Sequence, residues 1–355
     1  MWHVVDRSSS RSWAGARLII VCLSLASLLE SALLTIPETV AATDKLTVYS
    51  GRAERLIKPV FDAFTAKTGI HIDLLSSGTT ELVNRLKVEG DRSPADLLIT
   101  NDAGSLEVAR TAGLLRPVNV PEIDQAIPPQ FRAADNSWIG LSGRFWIVVY
   151  NTTLVKPGQI KSILDLANPE WKDKIAVPNA GSEYLQAGVS VIRASIGDER
   201  AKPFLEGLRD NAGTQVYQKT SQIVEAVARG QVALGVANHY YVYRHLAAQP
   251  AAPLGIVMPD QEDGGIGAIM NVAGIGILKH SPRAGNAKLL VEFLASPTGQ
   301  KLFTELDKEY PLHPEVKADS ALVERKSFRA AAVPLTKLAE LREPTMQLIE
   351  QVGLR

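Results

Sequence analysis

Cysteine is nearly absent from this chain. The single cysteine among 355 residues, Cys22, lies in an apolar segment close to the N-terminus. If that segment is removed during export, the mature protein has no thiol, so it can form no disulfide and offers no soft sulfur ligand to a metal ion. Cys22 also follows Val21 rather than the small residue that a lipoprotein site requires, so we predict no membrane anchor in the mature form.

An excess of charge of either sign is also lacking. Lysine plus arginine and aspartate plus glutamate number 38 each, and aromatic residues make up only 6% of the chain. Nucleic-acid binding needs clustered positive charge, so this balance argues against nucleic acid as the main partner. The composition favours a small ligand instead.

Enzyme motifs are missing as well. The chain has no Gly-x-Ser-x-Gly elbow, no His-Glu-x-x-His, no Walker motif and no Rossmann glycine fingerprint. We therefore predict that the protein is not an enzyme. A secreted enzyme that uses His239 and a tyrosine as acid and base is an alternative, but no nucleophile or cofactor motif supports it.

Residues 1–42 have the pattern of a secretory signal peptide. Three arginines precede an apolar run at 18–29, and small residues at 40–42 form a cleavage site. A membrane anchor is the competing interpretation, but the run of about 12 residues is shorter than the roughly 20 that a spanning helix needs. The mature chain would begin near Thr43.

Short apolar strands alternate with helical patterns in the mature chain. We predict strands at 46–49, 70–74 and 95–100, and a helix at 54–67 that Gly69 closes. This alternation is typical of a parallel α/β sheet, in which ligands collect beyond the carboxyl ends of the strands.

A second α/β unit follows a long predicted strand at 145–150. Its strands are predicted at 174–177 and 232–237, and an apolar, glycine-rich stretch at 266–279 would return to the first unit. The economical architecture is two α/β lobes joined by two crossing strands.

Two adjacent tyrosines, Tyr240 and Tyr241, stand just after the strand pattern at 232–237. Asn238 is a good helix N-cap, so the tyrosines would lie in the first turn of a helix, where free N–H groups favour anions. A phenolate would be stabilised there. From the dipeptide alone, ordinary tyrosines that fill the cleft of a larger domain remain an alternative.

Several short segments occur in an order and spacing that are together specific to one family. They are Val48-Tyr-Ser-Gly-Arg52, Thr68-Gly-Ile70, Glu89-Gly-Asp91, Ser93-Pro-Ala-Asp96, Ala112-Gly-Leu-Leu115, Leu141-Ser-Gly-Arg144, Asn238-His-Tyr-Tyr241 and Glu309-Tyr-Pro-Leu312. On these segments, which span nearly all of the mature chain, the protein resembles the periplasmic ferric-ion-binding proteins, the solute receptors of iron ABC importers.

The resemblance implies the type II periplasmic binding fold, an α/β fold of two lobes, each a mainly parallel sheet flanked by helices, joined by two hinge strands. We predict that residues 43–145 and 272–321 form the first lobe and that residues 146–271 and 322–355 form the second. The resemblance also implies a monomeric periplasmic receptor that carries Fe³⁺ to an ABC permease, with a separate ATPase as the source of energy.

The same resemblance implies that Tyr240 and Tyr241 bind Fe³⁺ as phenolates. Fe³⁺ is a hard cation that prefers anionic oxygen, and its charge lowers the pKa of a bound phenol. Tyr184 is a third candidate, because relatives with extra tyrosines place one after the equivalent polar loop; its alternative role is to line the cleft. Tyr49 is a weaker candidate, since a tyrosine at a strand end is usually packed.

Two ligand positions in the first lobe depart from some family members. Their histidine and glutamate correspond here to Ala53 and Asn101, and the neighbours Glu54 and Asp102 could substitute. Other members complete the site with carbonate or another small anion. The residues that would hold such an anion here are Arg52, Arg144, Asn179 and Ser182.

Two alternatives stay open at this point. Arg52 and Arg144 could form structural salt bridges instead of an anion site. The missing first-lobe ligands also leave room for a related receptor of an organic or anionic solute, such as a polyamine, thiamine or a phosphonate.

Overall fold

Ten strands and eleven α-helices make up the part of the chain that the computed structural model describes, residues 45–354; the predicted signal peptide lies outside it. The strands are β1 (Lys45–Ser50), β2 (His71–Ser76), β3 (Leu97–Thr100), β4 (Leu115–Arg116), β5 (Ile139–Asn151), β6 (Ile175–Pro178), β7 (Val216–Tyr217), β8 (Leu234–Asn238), β9 (Leu254–Val257) and β10 (Met270–Leu278).

The helices fall between these strands and after the last of them. They are α1 (Glu54–Thr68), α2 (Thr79–Glu89), α3 (Ala103–Thr111), α4 (Pro121–Ala126), α5 (Glu183–Ile196), α6 (Asp198–Ala212), α7 (Thr220–Ala228), α8 (His239–Ala248), α9 (Ala284–Ala295), α10 (Pro297–Asp307) and α11 (Lys337–Val352). None of the helices within residues 45–354 is both long and apolar enough to cross a membrane.

The strands form one hydrogen-bonded path in the order β2-β1-β3-β10-β5-β8-β6-β7. β1 pairs in parallel with β2 and β3, and β6 pairs in parallel with β7 and β8. β5 and β10 lie between these two parallel groups and are antiparallel to their neighbours. The two groups are therefore connected through the centre of the path by β5 and β10.

β5 changes its partners part-way along its length. Residues 139–145 pair with β10, whereas residues 146–151 pair with β8 and β9. The strand also starts six residues before the predicted strand at 145–150. The apolar pattern does not show the beginning of this strand, because glycines stand there in place of larger side chains. The space is filled by neighbours: a Cβ on Gly140 would lie 2.6 Å from the side chain of Leu312.

α1 shows how the local sequence builds the first βαβ unit. Its buried residues Ile57, Val60, Phe61 and Phe64 recur at helical spacing on one face. Gly69 ends the helix in the left-handed conformation, with φ of 76°, and its N–H bonds to the carbonyl of Thr65. The predicted helix and its glycine cap are both confirmed.

α11, near the end of the chain, packs against both α3 and α5. Leu338 of α11 lies so close to α3 that a Cβ on Gly104 would be 3.1 Å from it. On the other side, Thr345 bonds to Arg193 and Ser190 of α5. α11 therefore bridges helices that precede and follow the long strand β5.

Candidate functional site

Tyr240 and Tyr241 lie at the start of α8, directly after β8. Tyr240 is 2% exposed, Tyr241 is partly exposed, and their ring centroids are 4.4 Å apart. Asn238 occupies the predicted N-cap position but makes no side-chain cap bond, and its buried Nδ2 has no hydrogen-bond partner among the described residues. Two phenols and one unpaired amide nitrogen are therefore positioned together at the end of β8.

Tyr184 meets Tyr240 from the start of a different helix. Glu183 is the first residue of α5, and the hydroxyl of Ser182 caps the helix by accepting a bond from the N–H of Leu185. The hydroxyl of Tyr240 donates to that of Tyr184 over 3.3 Å. The N-termini of α5 and α8 thus converge on the phenols, and both helix dipoles favour negative charge there.

Both phenols are hard to ionise without a cation. Burial raises the pKa of Tyr240 well above its usual value, and the neighbouring Tyr184 and Tyr241 add to this shift. Burial and Tyr241 likewise raise the pKa of Tyr184, while Arg144 opposes the shift. The phenols of Tyr184 and Tyr240 therefore keep their protons when no cation is bound.

Arg144 lies beside these phenols, and no carboxylate of residues 45–354 is bound to it. Its side chain is buried, at 2% exposed, and neither Nε nor Nη2 has a hydrogen-bond partner in that part of the chain. The guanidinium carbon is 5.5 Å from the ring centroid of Tyr184. Burial opposes its charge, but Tyr184, Tyr240 and Glu309 raise the pKa of Arg144 overall, so the group stays cationic.

A small cavity opens between Arg144, Tyr184 and the end of β8. Trp146 and Asn238 line the same cavity, and each contributes a buried N–H group that has no partner within residues 45–354. Buried polar groups are almost always hydrogen-bonded, and all the unpaired atoms here are donors. A set of unpaired donors around a buried cation fits a small anion.

Arg52 is engaged differently. Nη1 lies 3.0 Å from Glu309, Nη2 lies 2.6 Å from Asp307, and all three side chains are buried. Arg244 of α8 bonds to the other oxygen of Asp307 at 2.8 Å, and Ser142 donates to Glu309. The salt-bridge alternative for Arg52 is thus present in the structure, and its two terminal nitrogens are occupied by carboxylates.

The polar loop before α5 makes mainly backbone bonds. The N–H of Asn179 donates to the carbonyl of Tyr217, and the carbonyl of Asn179 accepts from the N–H of Ser182. Neither side chain bonds to Arg144. The loop therefore sets the start of α5, and with it the position of Tyr184.

Tyr49, Glu54 and Asp102, the other candidates from the N-terminal part of the chain, lie in different surroundings. Tyr49 is buried and its hydroxyl donates to Glu89 at 3.1 Å. Glu54 is exposed at the start of α1. Asp102 caps α3 by accepting a bond from the N–H of Ser105. Within residues 45–354, no group of three or more His, Cys, Asp and Glu side chains is placed to hold a metal ion.

Glu183, beside Tyr184, faces Asp102 across a second small cavity that Arg342 of α11 also lines. Burial and the charge of Asp102 raise the pKa of Glu183 to about 7, although Arg342 opposes the shift. Arg342 itself donates to the hydroxyls of Ser105 at 2.8 Å and Thr80 at 2.7 Å. Through Arg342, this cluster connects the start of α5 with Thr80 of α2 and Ser105 of α3.

Comparison with known proteins identifies the family of this chain. Residues 46–305 match the family model described as bacterial extracellular solute-binding protein. The chain belongs to that family. It is 31% identical to the major ferric iron-binding protein of Neisseria meningitidis, over 87% of this chain and 93% of the relative. It is 29% identical to iron uptake protein A1 of Synechocystis, over 90% of this chain and 89% of the relative.

Solved structures agree with these matches. A Trichodesmium IdiA (FutA) structure in complex with iron and citrate superposes with a TM-score of 0.78 at 30% identity, and covers 88% of this chain and 100% of that chain. The predicted resemblance to the periplasmic ferric-ion-binding proteins is confirmed. This solute-binding protein has the predicted two-lobed type II periplasmic binding fold, with β5 and β10 as the connecting strands.

Several residues of the site have no local signature in the sequence. Glu309 was part of a segment that carried the family resemblance, but nothing local showed that it would pair with Arg52. In the sequence, Trp146 is one more apolar residue of the strand pattern at 145–150. His239, at 0% exposed, packs in the interior, and burial lowers its pKa to about 4, so the ring is neutral.

Proposed function

We propose that this solute-binding protein is a periplasmic receptor that binds Fe³⁺ between its two lobes. The phenolates of Tyr240, Tyr241 and Tyr184 hold the ion, and a small anion such as carbonate completes its coordination. The receptor delivers the ion to an ABC permease that a separate ATPase drives. The names of its relatives, which bind or take up iron, support the choice of cargo.

The observation that carries this proposal is the 3.3 Å separation of the Tyr240 and Tyr184 oxygens. Metal–oxygen bonds in protein sites are about 2.0–2.2 Å long, so two oxygens on one ion lie at most about 4 Å apart. The two phenols come from separate helices in different parts of the chain. Only their convergence in the fold lets one ion bind both.

The charges around the phenols suit a trivalent cation. Three phenolates neutralise Fe³⁺, and the two helix N-termini stabilise the negative oxygens before and after the ion binds. The positive charge of the metal stabilises phenolates that burial disfavours, so the ion displaces the phenol protons when it binds. Affinity for iron is therefore linked to proton release.

The anion belongs on the Arg144 side of the cluster. Arg144 has two unpaired nitrogens, and Trp146 and Asn238 add two more donors that line the same cavity. An anion bridging these donors and the iron would satisfy all of them. Arg52 is not included, because its terminal nitrogens already bind Asp307 and Glu309.

For the organisation around this site we keep the boundaries expected from the sequence. We take residues 43–145 and 272–321 as the first lobe, residues 146–271 and 322–355 as the second, and residues 1–42 as the export signal. The mature receptor is then a monomer. The change of partners in β5 after residue 145 supports the boundary at that position.

Tyrosine-to-phenylalanine variants test the proposal. Iron-loaded wild-type protein should show a visible phenolate-to-iron charge-transfer band, and Tyr240→Phe and Tyr184→Phe should each weaken or abolish it. Tyr217→Phe is the matched control, because its hydroxyl bonds only to Gln215. A band of equal intensity in wild type and in both cluster variants would refute the ligand assignment.

The anion preference of the Arg144 cavity favours one other function, a receptor for an anionic solute. Titration calorimetry of iron-free protein with phosphate and with a phosphonate, beside ferric citrate, separates the two. Protein that binds an anion tightly but stays colourless with ferric citrate would support the second function and overturn the first.

A further inference from the structure

His239 is a buried residue that the proposed function leaves unused. His239 is the first residue of α8 and is 0% exposed. It directly precedes Tyr240, and its ring lies edge-on to the Tyr240 ring, with centroids 5.7 Å apart and an interplanar angle of 87°. Any shift of this imidazole therefore acts on the phenol beside it.

Both ring nitrogens of His239 bond to backbone groups. The N–H of Phe145 donates to Nδ1 over 3.1 Å, so Nδ1 carries no proton. Nε2 must then hold the proton, and it donates to the carbonyl of Lys308 over 2.9 Å. The imidazole is satisfied on both sides, and its orientation is fixed.

The two bonding partners lie where different parts of the fold are connected. Phe145 is the last residue of β5 that pairs with β10, and Trp146 is the first that pairs with β8, so we call this point of β5 the hinge. Lys308 follows α10 with a positive φ of 57°, between Asp307 and Glu309, which bind Arg52. His239 therefore connects the hinge, the buried ion-pair network and the helix that carries the tyrosines.

We propose that His239 is a positioning residue that sets the Tyr240 oxygen relative to the hinge, so that iron coordination and lobe closure are coupled. The inference rests on the proposed function. A bond from the ring to the hinge peptide transmits rotation of the lobes to the first turn of α8. The aromatic packing of His239 with Phe145 and Tyr310, at 6.2 and 4.9 Å, keeps the ring from turning independently.

Two conservative variants separate the two hydrogen bonds. In His239→Asn, the side-chain oxygen can replace Nδ1 as the acceptor for the N–H of Phe145, but nothing reaches Lys308. In His239→Gln, the amide nitrogen can replace Nε2 as the donor to Lys308, and the bond to the hinge is lost. Both variants retain all three candidate tyrosine ligands.

Iron release to an excess of chelator and the wavelength of the charge-transfer band are the readouts. We expect both variants to bind iron, to release it about five- to tenfold faster than wild type, and to shift the band, as loss of one buried hydrogen bond predicts. His239→Gln should have the larger effect, because it breaks the bond to the hinge. A purely structural histidine would lower the melting temperature of iron-free protein without changing either readout.

His245→Asn and His245→Gln are the matched controls, since His245 lies on the same helix and its Nε2 has no hydrogen-bond partner in the part of the chain that the structure describes. They should release iron at the wild-type rate. If wild-type protein shows no charge-transfer band, the proposed function fails. If wild type shows the band and both His239 variants match it in wavelength and release rate, the positioning role is wrong and the iron site stands.

Discussion

Replacing Arg52 by methionine tests whether this arginine is structural. The guanidinium bonds to Asp307 and Glu309, and the three side chains are 1% to 2% exposed. Methionine fills most of the same volume but cannot pair with either carboxylate. Arg244 would still hold one oxygen of Asp307, whereas Glu309 would keep only the bond from Ser142.

The expected cost follows from the unpaired charge. Removing one partner of a buried ion pair destabilises a protein by about 3–5 kcal/mol, because the other charge stays buried without compensation. A chain of about 300 residues unfolds with an entropy of about 0.6 kcal/mol per kelvin, at about 2.1 cal/mol/K per residue. Arg52→Met should therefore lower the melting temperature of the iron-free protein by about 5–8 °C.

Arg144→Met is the comparison that makes the assay decisive. Arg144 is buried like Arg52 but binds no carboxylate of residues 45–354, so its replacement breaks no ion pair there. We expect its melting temperature to change by less than about 2 °C, since the loss is within about 1 kcal/mol, while iron binding in the presence of bicarbonate weakens strongly. Arg52→Met should show the reverse, with large destabilisation and retained iron binding.

Thermal unfolding followed by circular dichroism, with iron titrations on both variants, measures this contrast. A structural role for Arg52 would be refuted if Arg52→Met melted at the same temperature as wild type and its iron binding no longer depended on bicarbonate. That result would mean that Arg52 holds the anion and that its carboxylate partners contribute little to stability.

Three other outcomes are expected. Iron affinity, followed by the visible band, should fall as the pH is lowered from 8 to 5, because burial raises the pKa of Tyr240 and protons then compete with iron for its oxygen; a flat profile would contradict phenolate ligation. Gly188→Ala should destabilise the protein by about 1–3 kcal/mol, because the new Cβ would lie 2.4 Å from the ring of Trp146; an unchanged urea midpoint would show that the ring moves freely. Arg342→Ala removes two bonds from α11 to the hydroxyls of Ser105 and Thr80 and should speed iron release about tenfold. In that experiment Arg229→Ala, on an exposed face, is the control, and equal rates would exclude a role in closure.

Local patterns were enough to predict much of the fold. The apolar residues of α1 recur every three or four positions and Gly69 ends the helix, so this element depends on its own residues. The same is true of the strand before Tyr240 and Tyr241, which placed both phenols in the first turn of a helix. Hydrophobic period, turn residues and caps act over a few residues, and a sequence shows them directly.

The arrangement of the site was decided by tertiary structure. Arg52 and Arg144 looked equivalent in the sequence, but Arg52 pairs with carboxylates 255 and 257 positions away, and Arg144 has none. Likewise, Tyr184 and Tyr240 are 56 positions apart in the sequence, and their hydroxyl oxygens lie 3.3 Å apart only because two helix N-termini meet. Such pairings depend on how distant elements pack, and no local period encodes them. The sequence by itself therefore determined which groups could bind a hard cation, and the packing decided which of them are free to do so.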